Sequence, residues 1–90
     1  MTLTNQERAN QGLGALTWNN TLAKAAQNHA EDMAARGYFS HTSPEGDDTT
    51  VRVTALGYNY SWIGENIAYN YRSAADVVEG WMNSEGHREN

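Results

Sequence analysis

Three side chains in this 90-residue sequence have the chemistry to form a site: His41, Glu65 and His87. Glu65 lies in the apolar run 62–69, and a carboxylate there needs a charge, a hydrogen-bond donor or a metal to offset its desolvation. Two imidazoles and one carboxylate suit a zinc-type site with an open position. They equally suit a proton-transfer pair in which the carboxylate orients a histidine. Spacing alone leaves both interpretations open, together with the simpler one of His41 as an exposed loop residue.

The remaining histidine and the acidic loop favour structural roles. His29 falls on the apolar stripe of a predicted helix, so we expect a buried histidine hydrogen-bonded to a neighbouring loop, with a ligand as the alternative. Glu45, Asp47 and Asp48 lack the spacing and closing glutamate of an EF-hand. We therefore expect a solvated loop that ends in a helix cap.

Composition narrows the class of protein. Ninety residues predict one small domain, and the lack of cysteine excludes disulfides, Cys-ligated zinc and thiol nucleophiles. A net charge of −5 argues against a nucleic-acid partner. No apolar run reaches the roughly 20 residues of a transmembrane helix, and residues 1–5 do not read as a signal peptide. The chain is then either cytoplasmic or part of a longer precursor, and its abrupt end at 86–90 favours a fragment.

Capping and periodicity predict three helices, over 2–11, 19–37 and 73–84. Residues 49–57 are ambiguous between an alternating strand and one or two helical turns. Residues 58–62 and 67–71 are predicted to be extended because of their aromatic content. Gly86 is expected to end the last helix, which places His87 after its C-terminus.

Several segments taken together resemble the CAP superfamily (SCP/PR-1-like; cysteine-rich secretory, antigen 5 and pathogenesis-related proteins), and in particular its bacterial secreted branch. Order and spacing agree over essentially the whole chain. The most specific matching segments are Phe39-Ser40-His41-Thr42-Ser43-Pro44, Gly64-Glu65-Asn66-Ile67-Ala68, and Trp81-Met82-Asn83-Ser84 followed by Gly86-His87-Arg88.

The resemblance implies an α+β fold: an α-β-α sandwich with three main helices around a small antiparallel sheet. In the family a histidine and a glutamate line a central cleft, and they match His41 and Glu65. Glu85 lies near the position of a second family glutamate, and His87 matches the bacterial Gly-His-Arg motif. The family domain continues into two further strands, so residues 1–90 are expected to form a single CAP domain that is incomplete at its C-terminus and has exposed sheet edges.

By the same resemblance we expect a secreted, extracellular binding module. Its cleft would hold zinc or another divalent cation and a small lipid, sterol or peptide, with Trp62, Ile63 and Ile67 as apolar walls. The first alternative is a metal-dependent hydrolase or peptidase with Glu65 as the base and His41 and His87 as metal ligands. The second is a structural surface or spore-associated protein without a ligand. No serine or cysteine lies in a recognisable nucleophile elbow, which favours a non-catalytic role.

Overall fold

The structure, a computed structural model, describes all residues from Met1 to Asn90 and contains five helices. They are α1 (Thr2–Asn10), α2 (Asn20–Arg36), α3 (Thr49–Ala55), α4 (Ala74–Met82) and α5 (Glu85–Arg88). The chain forms two compact units. The central unit is Asn19–Ile67, and the terminal unit combines Met1–Trp18 with Ala68–Asn90.

Helix α2 begins and ends where the sequence predicted. The Asn19 side chain accepts a hydrogen bond from the backbone N–H of Leu22 at 3.0 Å, which satisfies one of the unpaired donors of the first turn. Gly37 follows the last turn with φ 68°, the left-handed conformation that glycine adopts without steric cost. Both ends of α2 are therefore fixed by local chemistry.

Helix α3 resolves the ambiguity of residues 49–57 in favour of a helix. The Asp48 carboxylate accepts the N–H of Val51 at 3.1 Å, so the expected cap at the end of the acidic loop is confirmed. Helices α2 and α3 contact each other, and the most buried side chains of the unit come from them: Ala25, His29 and Val53. This small core holds the loop between the two helices.

In the terminal unit α4 contacts both α1 and α5. Ser73 caps α4 by accepting the N–H of Asp76 at 3.1 Å, as its sequence pattern predicted. The predicted threonine cap of α1 is wrong, because Met1 occupies the cap position without a side-chain hydrogen bond. The Asn5 amide instead exchanges two hydrogen bonds with the backbone of Leu16, at 2.7 and 3.0 Å, and so ties α1 to the segment that follows it.

The α5 helix corrects the expectation that His87 follows the last helix. Helix α4 ends at Met82, and a separate single turn starts after Ser84 and contains both Glu85 and His87. Gly86 lies inside that turn rather than ending a helix.

The antiparallel sheet predicted for residues 58–62 and 67–71 is not confirmed, since the structure contains no strand. Asn70 has φ 64°, a left-handed conformation that interrupts an extended strand. The Trp62 side chain is 90% exposed, and its place in an apolar wall stays a prediction. Aromatic content raises strand propensity only where a neighbouring strand supplies packing and hydrogen bonds.

Candidate functional site

His41 and Glu65, which the sequence singled out separately, form a hydrogen-bonded pair within the central unit. The Nδ1 atom of His41 lies 2.8 Å from Oε1 of Glu65. The imidazole is half exposed, at 49%, whereas the carboxylate is largely covered, at 17%. The Glu65 carboxylate is therefore the covered member of the pair, and the His41 imidazole is the member that contacts solvent.

Arg52 is the third member of this site, and the sequence analysis missed it. Its Nη2 atom donates to Oε2 of Glu65 at 2.6 Å, and only 14% of the arginine side chain is exposed. One sequence feature could have indicated Arg52. If residues 49–57 are helical, Arg52 lies three residues after Thr49 on the same helix face. The threonine hydroxyl does lie 3.2 Å from Nη2.

The same guanidinium also holds the backbone of the loop before α3. Its Nη1 atom donates to the carbonyl of His41 at 2.7 Å and to the carbonyl of Asp47 at 3.3 Å. Arg52 thus contacts the main chain of His41 and, through its other nitrogen, the carboxylate to which the His41 imidazole is bonded.

These contacts determine the ionisation of Glu65. Burial acts to raise the pKa of its carboxyl, but the hydrogen bonds from Arg52, His41 and Thr49 outweigh burial and leave the pKa below its ordinary 4.5. At neutral pH the carboxylate is therefore charged and can only accept hydrogen bonds. Nδ1 of His41 must then carry a proton, and in the neutral imidazole Nε2 is the hydrogen-bond acceptor that remains.

His29 anchors the loop that carries His41, which confirms the structural role predicted for it. The ring is buried, and Nε2 lies 2.8 Å from the carbonyl oxygen of Ser40, the residue before His41. The Tyr38 hydroxyl lies 3.5 Å from Nδ1 of the same ring and donates to Asp32 at 2.5 Å. The histidine that the sequence placed in the core therefore fixes the start of the site loop.

A second arginine holds the far side of this loop. Arg36 donates to both oxygens of Asp32 at 2.8 Å and to both oxygens of Glu45 at 2.6 and 2.8 Å. Glu45, predicted to lie in a solvated loop, is thus paired as well as exposed. The Arg36 hydrogen bonds lower the pKa of both carboxyl groups.

His87 and Glu85, the other two predicted site residues, belong to the terminal unit. Nδ1 of His87 lies 2.9 Å from the hydroxyl oxygen of Ser84, one helical turn earlier, and the ring is half-buried. Glu85 is exposed in the first turn of α5. Their participation in the site stays a prediction.

The zinc centre predicted for His41, Glu65 and His87 stays a prediction, and the hydrogen bonds of Glu65 within the central unit do not favour it. Within that unit no group of three or more His, Asp or Glu side chains is gathered in a way that could hold a metal ion. Within the central unit both oxygens of Glu65 already accept hydrogen bonds, one of them from a cationic guanidinium. A divalent cation at this carboxylate would have to replace those bonds and lie close to a like charge.

Comparison with known proteins points to one family. The model of the cysteine-rich secretory protein family, CAP, matches residues 1–90. Two Bacillus subtilis proteins are similar to this chain: the uncharacterized protein YkwD, 43% identical over 98% of the chain, and the uncharacterized membrane protein YlbC, 44% identical over 96%. Protein PRY2 of Saccharomyces cerevisiae is 32% identical over 92% of the chain.

A solved structure supports the same assignment. The 1.5 Å crystal structure of an extracellular protein containing a SCP domain, from Bacillus anthracis, superimposes with a TM-score of 0.94 at 38% identity over 98% of this chain. The chain spans 30% of that protein, and 34%, 25% and 24% of YkwD, YlbC and PRY2. No helix of the chain is both long enough and apolar enough to cross a membrane.

Proposed function

The chain belongs to the CAP family of cysteine-rich secretory proteins, and on that premise we propose that it is an extracellular binding module whose contact group is the imidazole of His41. The ligand class we propose is a small, mostly apolar molecule, such as a lipid or a short peptide, that carries a hydrogen-bond donor. Secretion is part of the proposal, and its support is the similarity to an extracellular SCP-domain protein.

The observation that carries the proposal is the way in which the two nitrogens of His41 differ. Nδ1 is committed to Glu65 at 2.8 Å, so the ring is held in one orientation and one tautomer. Within the central unit Nε2 of His41 accepts no hydrogen bond, and the side chain is half-exposed. A hydroxyl or amide of a ligand would therefore meet a fixed acceptor that needs no rearrangement, which lowers the entropic cost of binding.

Apolar surface next to the pair in sequence supports the apolar part of the ligand. Phe39, two residues before His41, is exposed, and Ile63, two residues before Glu65, is half-buried. Exposed aromatic side chains of this kind favour contact with an apolar body, while the imidazole supplies orientation.

The hydrolase alternative has less support at this site. It requires Glu65 to act as a general base, which needs a pKa near the working pH and a free oxygen. The pKa of Glu65 is instead below its ordinary value, and each oxygen accepts a hydrogen bond. Its metal would also need ligands beyond the pair found in the central unit.

The proposal is tested by NMR titration with 1-decanol and with decyl methyl ether, which has a similar apolar body but no donor. We expect the alcohol to perturb the signals of His41 and Glu65 and to bind more tightly than the ether. One neutral hydrogen bond contributes about 0.5–1.5 kcal/mol, so the difference should be about 2- to 10-fold.

Two variants supply the controls. His41→Phe keeps an aromatic ring and should remove the preference for the alcohol, whereas Lys24→Ala, on the exposed face of α2, should leave it unchanged. Equal binding of alcohol and ether by the wild type, or an unchanged preference in His41→Phe, would contradict the proposal. No binding of either probe would favour the structural role without a ligand.

A further inference from the structure

The geometry points to Arg52 as the residue that sets the selectivity of the His41 site: its guanidinium is paired with Glu65, the carboxylate bonded to the His41 ring, so the site takes hydrogen-bonding ligands in preference to metal ions. This inference rests on the proposed function in taking His41 as the contact group. It adds a specificity-determining residue that no feature of the sequence had singled out.

The positive charge of Arg52 lies in direct contact with the Glu65 carboxylate. Arg52 and Glu65 are joined at 2.6 Å, and both side chains are largely covered, at 14% and 17% exposure. A guanidinium keeps its proton under all ordinary conditions. The Arg52–Glu65 pair therefore has no net charge at any pH at which Glu65 is ionised. Without this neighbour the ionised carboxylate of Glu65 would attract a cation toward His41.

Glu65 accepts hydrogen bonds from both the His41 ring and Arg52. Histidine ligands of metals commonly donate their second ring N–H to a carboxylate, which increases the basicity of the ligating nitrogen. His41 and Glu65 have that arrangement. Because Arg52 donates to the same carboxylate, it weakens this effect and adds a positive charge that would repel a metal ion bound to His41.

The planar shape of the Arg52 guanidinium lets it donate in two directions at once. The two Nη atoms of Arg52 reach two different acceptors, the carbonyl of His41 and the carboxylate of Glu65, at 2.7 and 2.6 Å. A lysine ammonium is a compact point charge without this planar fork. Arg52 is therefore also a positioning residue, since it fixes the main chain of His41 relative to the partner of its ring.

The test is a zinc titration, followed by calorimetry and by the NMR signals of His41, for the wild type, Arg52→Gln, Arg52→Lys and Arg52→Gln/Glu65→Gln. Removing a positive charge that contacts a carboxylate changes the affinity of the carboxylate for another cation by about 10-fold or more. We expect Arg52→Gln to bind zinc at least about 10-fold more tightly than the wild type. Arg52→Lys, which keeps the charge, should stay close to the wild type, and the double variant should lose the gain.

Arg36→Gln is the matched control, because Arg36 is likewise paired with carboxylates, those of Asp32 and Glu45, but makes no hydrogen bond to His41 or Glu65. Its zinc affinity should equal that of the wild type. An Arg52→Gln protein that binds zinc no more tightly than the wild type would overturn the inference.

A second comparison keeps the inference open to refutation even where Arg52→Gln fails to fold. The double variant Arg52→Gln/Glu65→Gln leaves no unpaired charge and should bind zinc about 10-fold more tightly than Glu65→Gln, which keeps the Arg52 charge beside His41 without the carboxylate that offsets it; equal zinc affinities of these two variants would overturn the inference. These arms use zinc alone. Failure of the proposed function would appear separately, as a lack of discrimination between 1-decanol and its ether.

Discussion

Replacing Arg52 with methionine removes the guanidinium and keeps most of the apolar stem, so the change isolates the charge and its hydrogen bonds. Hydrogen bonds to charged groups contribute about 1.5–3 kcal/mol each, and breaking a fully buried ion pair costs about 3–5 kcal/mol. Arg52 and Glu65 retain 14% and 17% exposure, so water partly compensates the carboxylate. We expect a loss of about 2–3 kcal/mol in the free energy of unfolding.

Urea denaturation followed by circular dichroism measures this loss, and Arg36→Met is its matched control. Arg36 also bridges two acceptors, Asp32 and Glu45, but its side chain is 40% exposed. Solvent screening makes exposed ion pairs weak, so the control should lose clearly less stability. For a domain of this size a loss of about 2–3 kcal/mol lowers Tm by roughly 10–20 °C. An Arg52→Met protein that is as stable as Arg36→Met would refute the account of Glu65 as a covered carboxylate held by Arg52.

Three further predictions follow from single contacts. Because the pKa of Glu65 is lowered on folding, its stabilisation is present above pH 4.5 and is lost as the pH falls through the folded-state pKa; urea midpoints of wild type and Glu65→Gln should therefore converge in acid, and a constant difference would contradict this. Ser73→Ala should cost about 1 kcal/mol and Ser73→Asp much less, because both serine and aspartate accept the first-turn N–H. Gly37→Ala should cost about 1–2 kcal/mol because φ is 68° there, whereas Gly14→Ala, at a glycine without a positive φ, should be close to neutral in thermal melts.

The helices that could be predicted from the sequence are those whose ends are fixed locally. Asn19 and Gly37 mark the ends of α2, and Ser73 marks the start of α4. Each signal acts within one helical turn, so the sequence contains it without knowledge of the rest of the chain. Helix α3 was ambiguous because the alternation of its first residues resembles a strand, and the Asp48 cap decided in favour of the helix.

The sheet could not be predicted reliably from residues 58–62 and 67–71, because a strand depends on partners distant in sequence. No short sequence pattern indicates that Trp62 is exposed or that Asn70 has a left-handed backbone. Aromatic content suggested extended structure, but it did not report whether a neighbour pairs with it.

The site was predictable in part. A carboxylate in an apolar run is costly to desolvate, so the sequence correctly predicted that Glu65 has a partner. The family resemblance identified His41 as that partner. Arg52 was missed because its role depends on α3, the one helix that periodicity left undecided.

The most direct test of the account is the tautomer of the neutral His41 imidazole, read from its ¹⁵N NMR shifts in wild type and Glu65→Gln. The account predicts that the wild-type ring carries its proton on Nδ1 and leaves Nε2 as an unprotonated acceptor, and that Glu65→Gln removes this preference. A wild-type ring protonated on Nε2, or a tautomer that Glu65→Gln leaves unchanged, would contradict it.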